Sequence, residues 1–389
     1  MKIGFSSRVA VSTCALCVAG LLGLTPAVAA ADGADAGGPE RQRAAAADPS
    51  VLHRAGTQVQ RRAGAPRVPS VSALAWVVAD ADSGAVLAAH DAHRKLPPAS
   101  TLKTLFALTV LPLLPGGVRH KVDAGELAGM GAGSSRVGVA EGRTYRVADL
   151  WHGVFLNSGN DAVRVLAELS GGWRTTAARM QAKARSLGAL DTKVLSPDGY
   201  DTPGQVSSAY DLAVFGRAGL RSPDFARYCA TVEARFPGGG GWSYPIRNTN
   251  RLLTGADGVA RYPGLIGVKN GYTSKAGHTL VAAARKGGRT LVVTVMNPRA
   301  GGGLAVYEET RALLDWGFAA AGRVEPVGSL DALRARPRPG PEAVPAAAAA
   351  APVAKGPGWA ETWAIMAAAG LGGGSVALAL RARSRRPRS

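Results

Sequence analysis

The order of its predicted secondary structure constrains the fold of this 389-residue chain more than any other feature. Two short apolar runs, 74–78 and 85–88, flank a turn that contains Asp and Gly, and they predict a β-hairpin. Helices are predicted at about 100–111, 147–170, 174–187, 208–219 and 303–321, and late strands at about 264–270, 277–285 and 289–297. Strands on both sides of a helical stretch predict an α+β domain in which one sheet joins the two ends.

The net charge of +19 does not concentrate on this unit. Residues 1–71 contribute +4 (8 basic, 4 acidic), residues 72–333 contribute +8 (29 and 21) and residues 334–389 contribute +7 (9 and 2). A nucleic-acid interface needs basic residues interleaved with aromatic ones, and only 6% of the residues are aromatic. We therefore predict no nucleic-acid partner.

The first 30 residues have the pattern of a secretory signal peptide. Lys2 and Arg8 precede an apolar run at 9–24, and small residues suited to signal peptidase follow at 27–29. An N-terminal membrane anchor is the alternative, although the run is short for a span. Residues 31–71 have no periodicity and predict a disordered tether. After cleavage Cys229 is the one cysteine left, which excludes an intrachain disulfide.

The C-terminal part predicts a linker and a membrane anchor. Residues 326–358 form a Pro- and Ala-rich linker, residues 359–380 a transmembrane helix and residues 381–389 a basic cytoplasmic tail. The 18 residues 363–380 carry no charge and would span about 27 Å as a helix, just enough for a thin bilayer core. Because the segment contains four glycines, an interfacial helix is the alternative.

Three short motifs could carry chemistry. Ser100 and Lys103 are three residues apart, so on a helix the amine reaches the hydroxyl and can act as its base. In Ser158-Gly159-Asn160 the hydroxyl can relay a proton and the amide can bind a peptide group. Lys269 can hold a carboxylate, and Gly271 permits close approach of a ligand to the backbone. Each motif alone is common by chance, so the prediction depends on their combination.

The order and spacing of the three motifs resemble those of serine D-alanyl-D-alanine carboxypeptidases, the low-molecular-weight penicillin-binding proteins. The similarity covers about residues 72–322 and includes Leu96-Pro97-Pro98-Ala99-Ser100 and the segment 267–277. It implies a DD-peptidase/β-lactamase-like fold of class α+β: an antiparallel sheet flanked by helices, with an inserted all-helical subdomain. The catalytic domain is then expected at 72–325, exported and anchored in the cell membrane on its outer side.

The resemblance also implies the roles of individual residues. The implied catalytic group comprises Ser100 as nucleophile, Lys103 as general base, Ser158 as proton relay, Asn160 as ligand of the substrate amide and the backbone N–H of Tyr272, with that of Ser100, as oxyanion hole. The implied substrate-binding group comprises Lys269, Asn270, Gly271 and Thr273. The substrate would be the peptidoglycan stem pentapeptide, β-lactams would acylate the same serine, and no metal or organic cofactor is implied.

One departure keeps alternatives open. The family's Lys-Thr-Gly is Lys-Asn-Gly here, with Asn270 in place of the hydroxyl residue. A catalytically weakened penicillin-binding or wall-binding relative is therefore one alternative. A serine β-lactamase of the same fold is the other, although no Glu-x-x-x-Asn stretch follows Asn160.

Overall fold

The computed structural model describes residues 49–331. The predicted signal peptide, the membrane helix and the basic tail lie outside the described residues. Among residues 49–331, no helix has the length and apolar character of a membrane span.

The strands are β1 Thr57–Arg61, β2 Ala73–Asp80, β3 Ala85–His90, β4 Arg119–Lys121, β5 Thr144–Arg146, β6 Glu233–Gly239, β7 Trp242–Arg247, β8 Leu265–Thr273, β9 Gly277–Lys286, β10 Arg289–Pro298, β11 Val324–Glu325 and β12 Gly328–Ser329. The α-helices are α1 Lys103–Val110, α2 Val147–Leu156, α3 Asn160–Leu169, α4 Trp173–Ser186, α5 Ala209–Leu220, α6 Pro223–Ala230, α7 Arg251–Thr254 and α8 Ala305–Ala320. The predicted hairpin and the three late strands are thus confirmed.

One eight-stranded sheet joins the early and late parts of the chain, as predicted. Its order is β11-β1-β3-β2-β10-β9-β8, with β12 paired to β3, and every pairing is antiparallel. The central pairing of β2 with β10 aligns Val78 with Val293, so residues far apart in the chain are neighbours in the sheet. The α+β class and the antiparallel sheet are confirmed.

Side chains of the central strands alternate between two buried layers. Val77 and Val292 belong to the core that contains residues of α5, whereas Val78 and Val293 belong to the core that contains residues of α8. Because successive side chains in a strand face opposite sides of the sheet, strands covered on both faces need almost continuous apolar sequence. The run 291–296 in β10 meets this requirement, with every residue buried.

The segment between β3 and β8 is mostly helical, with two differences from the expectation. Two two-stranded sheets, β4-β5 and β6-β7, lie within it, so it is not all-helical. The single helix expected at 147–170 is two helices, α2 and α3, separated at residues 157–159. Ser158 there has a φ of +58°, a left-handed conformation that a continuous right-handed helix excludes.

Both boundaries of the domain differ from the prediction. Residues 49–71, expected to be part of a disordered tether, are ordered, because β1 pairs with both β3 and β11. Leu52, in the short 3-10 helix before β1, is 2% exposed and lies against Gly328. The mostly polar β1 is stabilised by partners distant in sequence, so its own residues carry little strand signal. At the other end, β12 lies within the residues expected to begin the linker.

Candidate active site

Ser100 and Lys103 lie one turn apart at the start of the first helix. A 3-10 helix, Ala99–Leu102, leads directly into α1. Ala99 has a φ of +49°, an unfavourable conformation for a residue with a side chain, and it immediately precedes Ser100. Lys103 Nζ donates a hydrogen bond of 2.8 Å to Ser100 Oγ. The predicted pair is therefore in contact, with the amine placed to take the proton of the hydroxyl.

Lys103 is an unusual lysine because it is only 1% exposed. Its Nζ also donates a 2.6 Å hydrogen bond to the carbonyl oxygen of Asp198. Burial lowers the pKa of Lys103 to about 8, although the carboxylates of Asp198 and Asp161 oppose the shift. About a tenth of such an amine is neutral at pH 7, far more than for an exposed lysine. The site therefore supplies a usable base.

The break between α2 and α3 presents two polar side chains. Ser158 is 8% exposed and Asn160 is 4% exposed. Ser158 Oγ and Asn160 Oδ1 have no hydrogen-bond partner among residues 49–331. Buried polar atoms are nearly always paired, and Asn160 also lines the cavity described below, so its amide oxygen is available to a ligand.

Strand β8 carries the third motif and approaches Ser100 from another side. Lys269 is 1% exposed, and its Nζ donates to the Asn270 carbonyl at 2.9 Å. Burial, reinforced by the charge of Lys103, lowers the pKa of Lys269 well below its usual value. A Cβ added to Gly271 would lie 2.7 Å from the backbone nitrogen of Ser100. Glycine is therefore the residue that lets this strand come so close to the Ser100 turn.

The other predicted residues of β8 have partners of their own. Asn270 Oδ1 accepts a 3.0 Å hydrogen bond from Thr249 Oγ1. Thr273 Oγ1 donates to Asp201 Oδ1 at 2.7 Å. Tyr272 is 61% exposed, and its ring centre lies 4.5 Å from that of His278.

A cavity of about 220 Å³ lies where these elements meet. Four predicted residues line it: Ser100, Asn160, Tyr272 and Thr273. Lys103 is hydrogen-bonded to Ser100, and its charge contributes to the lowered pKa of Lys269. The structure thus brings the first and third motifs into contact and places Asn160 of the second on the same cavity.

Several residues that support the site were not predicted. Asp198 positions Lys103 through its carbonyl, and Asp201 bonds Thr273 from the same loop. The Asp161 carboxylate accepts from the backbone N–H groups of residues 137–139. It thereby fixes the loop that bears Ser135, whose carbonyl accepts from the Asn160 N–H at 2.8 Å. The one sequence signal among these is Asp161, an acidic residue in the first turn of a helix.

Metal-binding side chains do not cluster in the part of the chain that the structure describes. There, no group of three or more His, Cys, Asp or Glu residues is arranged to hold an ion.

Comparison with known proteins points to one family. The sequence model of peptidase family S11, described as D-alanyl-D-alanine carboxypeptidase, matches residues 61–300. D-alanyl-D-alanine carboxypeptidase DacB2 of Mycobacterium tuberculosis is 42% identical over 260 residues, which cover 66% of this chain and 86% of DacB2. D-alanyl-D-alanine carboxypeptidase DacD of Salmonella typhimurium is 34% identical, and the match covers 65% of this chain and 64% of that relative.

Solved structures agree with the sequence comparison. A crystal structure of a D-alanyl-D-alanine carboxypeptidase from M. tuberculosis has a TM-score of 0.63 at 41% identity and covers 69% of this chain and 99% of that one. The Streptomyces K15 DD-transpeptidase has a TM-score of 0.60 at 24% identity, covering 65% of this chain and 100% of that one. At that identity the second similarity shows the fold alone.

Proposed function

Since the chain belongs to the family of D-alanyl-D-alanine carboxypeptidases, we propose that it is a serine enzyme that releases the terminal D-alanine from peptidoglycan stem pentapeptides, with Ser100 as its nucleophile. The observation that carries the proposal is the 2.8 Å hydrogen bond between Lys103 Nζ and Ser100 Oγ. A buried amine with a pKa of about 8 beside a serine hydroxyl is an arrangement suited to nucleophilic catalysis.

In the acylation step, Ser100 Oγ attacks the carbonyl carbon of the penultimate D-alanine while its proton moves to Lys103 Nζ. The backbone N–H groups of Ser100 and Tyr272 stabilise the negative charge that develops on the carbonyl oxygen. The bond to the terminal D-alanine nitrogen then breaks, and that nitrogen receives the proton from Lys103 through the Ser158 hydroxyl. The Ser158 Oγ supports this relay, because it makes no hydrogen bond to any residue from 49 to 331.

Deacylation again uses Lys103 as the base, with water in place of the Ser100 hydroxyl as the nucleophile. A water molecule attacks the ester carbon and gives a proton to Lys103, and the departing Ser100 Oγ takes that proton back. Asn160 binds the peptide group of the substrate throughout. Its unpaired Oδ1 and its position on the cavity wall support this role.

Binding of the substrate carboxylate favours the neutral form of Lys103, the proposed base. Burial and the charge of Lys103 both disfavour a protonated Lys269. A carboxylate bound beside Lys269, with Asn270, Gly271 and Thr273 around it, favours the charged form of Lys269. Repulsion between the two ammonium groups then favours the neutral form of Lys103, which is the form that accepts the Ser100 proton.

Labelling with a fluorescent penicillin and release of D-alanine from a pentapeptide analogue test the proposal together. The full chain should form a stable covalent adduct and release D-alanine, and Ser100→Ala should abolish both. Labelling that survives Ser100→Ala contradicts the assignment. Rapid hydrolysis of penicillin without a lasting adduct would indicate a β-lactamase, and an adduct without D-alanine release would indicate a wall-binding relative.

The location of the enzyme is the second part of the proposal: residues 1–30 direct export, and residues 359–380 anchor the chain in the membrane with its catalytic domain outside. The apolar composition of both segments and the arginines after residue 380 support this location. A chain that ends at residue 358 should appear in the soluble fraction, whereas the full chain should sediment with membranes. Membrane retention of the shortened chain contradicts the anchor.

A further inference from the structure

The β6-β7 hairpin presents an exposed aromatic ring outside the catalytic cavity. Six large hydrophobic side chains are exposed among residues 51–331, and the two aromatic ones are Tyr272, on the catalytic cavity, and Trp242. Trp242 is 59% exposed and is the first residue of β7, directly after the glycine run 238–241. An exposed tryptophan beside a concave surface is typical of a binding site.

The Trp242 ring packs against residues of its own hairpin. A Cβ added to Gly238 would lie 2.5–2.7 Å from three atoms of the ring, so the indole lies directly against the Gly238 backbone. The Arg143 guanidinium donates to the Gly238 carbonyl and fixes the turn from outside the hairpin. The centre of the Tyr244 ring lies 5.4 Å from that of the indole. The ring therefore packs against its own hairpin and leaves the rest of its surface open to a ligand.

A cavity of about 510 Å³ adjoins this ring, and Arg143, Tyr145 and Trp242 contribute to its walls. It combines one flat aromatic face with a cationic group and the backbone groups of the glycine turn. Such a mixture suits a ligand that presents both C–H surface and hydroxyl groups, since the negative face of an aromatic ring attracts weakly positive C–H edges. Sugar rings have this character.

The β6-β7 hairpin is hydrogen-bonded to the loop that forms part of the wall of the catalytic cavity. Tyr244 Oη donates to the Val137 carbonyl, and the Val137 N–H donates to the Asp161 carboxylate at 3.0 Å. Two residues earlier, Ser135 lines the catalytic cavity. With a reach of about 3.5 Å per residue, the length of one tyrosine side chain and one hydrogen bond, Trp242 lies within about 25 Å of Ser135.

We propose that Trp242 and the adjoining cavity form a subsite for the glycan strand of peptidoglycan, a proposal that rests on the function given above. The carbonyl attacked by Ser100 is separated from the glycan by the residues of the stem peptide that precede it. Four extended residues span roughly 13–14 Å, and the glycan strand continues past the sugar that bears the peptide, so a bound strand can extend across the hairpin to Trp242. Arg143 acts as a positioning residue that holds the turn beneath the ring.

Binding of peptide-free glycan strands to the full chain tests the subsite without reference to catalysis. Trp242→Ala should weaken binding about tenfold, because it removes one stacked aromatic surface. Trp242→Phe should retain part of the affinity. Leu190→Ala is the matched control, since Leu190 is 62% exposed and lies outside the hairpin, and it should bind like the unaltered chain.

Turnover gives a second readout. We compare kcat/KM for a disaccharide-linked pentapeptide with kcat/KM for the free pentapeptide. In Trp242→Ala the ratio of the two should fall about tenfold, because KM for the disaccharide-linked substrate rises while kcat stays the same. Equal glycan binding by the unaltered chain and Trp242→Ala overturns the subsite. A change of oligomeric state in Trp242→Ala also overturns it, because the ring would then be a contact between copies of the chain. Glycan binding that depends on Trp242 without D-alanine release from either substrate supports the subsite and contradicts the proposed function.

Discussion

Replacing Gly271 with alanine should separate β8 from the catalytic serine. The added Cβ would lie 2.7 Å from the Ser100 nitrogen, 2.7 Å from Thr279 Oγ1 and 3.0 Å from the Thr101 nitrogen, whereas ordinary contacts begin at 3.4 Å. Two of these three atoms belong to the backbone of the 3-10 helix at Ala99–Leu102, which cannot rotate away. The strand and the helix must therefore move apart by several tenths of an ångström.

This displacement affects catalysis more than stability. Overpacking of this kind costs about 1–3 kcal/mol of unfolding free energy, which the fold can tolerate. A shift approaching 1 Å in the catalytic geometry costs up to about 100-fold in rate, so we expect acylation to slow by about 10–100-fold. The proposed oxyanion hole consists of the backbone N–H groups of Ser100, which takes part in this contact, and of Tyr272, which follows Gly271 in the chain.

The assay is the second-order rate of acylation by a fluorescent penicillin, measured beside the melting temperature. Gly117→Ala is the matched control, because Gly117 has nothing within 4 Å of an added Cβ, and it should change neither quantity. Wild-type acylation by a folded Gly271→Ala would refute the reasoning. Circular dichroism establishes that the variant is folded, so that a loss of rate is not mistaken for a loss of structure.

Two further predictions concern protons and the cavity wall. Because Lys103 must be neutral to accept a proton and its pKa is lowered to about 8, the acylation rate should rise with pH and level off above about 8; a flat profile from pH 6 to 9 contradicts this role. Asp161→Ala should lower the unfolding free energy by about 3–5 kcal/mol, since it leaves the N–H groups of residues 137–139 without their acceptor. Asp224→Ala, which breaks an exposed ion pair with Arg227, should cost less than about 1 kcal/mol in the same denaturant titration, and equal losses in both variants would contradict the buried role of Asp161.

Local sequence patterns predicted the parts of the site that depend on local geometry. Ser100 and Lys103 are neighbours because any helical turn places residues i and i+3 together, and the 3-10 helix that replaces the first predicted turn does the same. The strands β9 and β10 were predictable because a sheet buried on both faces requires apolar runs. Strand β1 has no such run, and its order depends on pairing with β3 and β11.

The chemistry of Lys103, in contrast, could not be predicted from its neighbours in sequence. Its lowered pKa comes from burial, and its Nζ is held by the Asp198 carbonyl, 95 residues further along the chain. The loop that supplies this carbonyl packs tightly on the Ser100 turn, because Gly199 has a φ of +78° and a Cβ there would lie 2.1 Å from the Ala99 carbonyl oxygen. A side chain at position 199 would push the loop away and leave Lys103 more exposed to water. The motif therefore identifies the base, whereas the packing of a distant loop determines whether that base is neutral at the pH of catalysis.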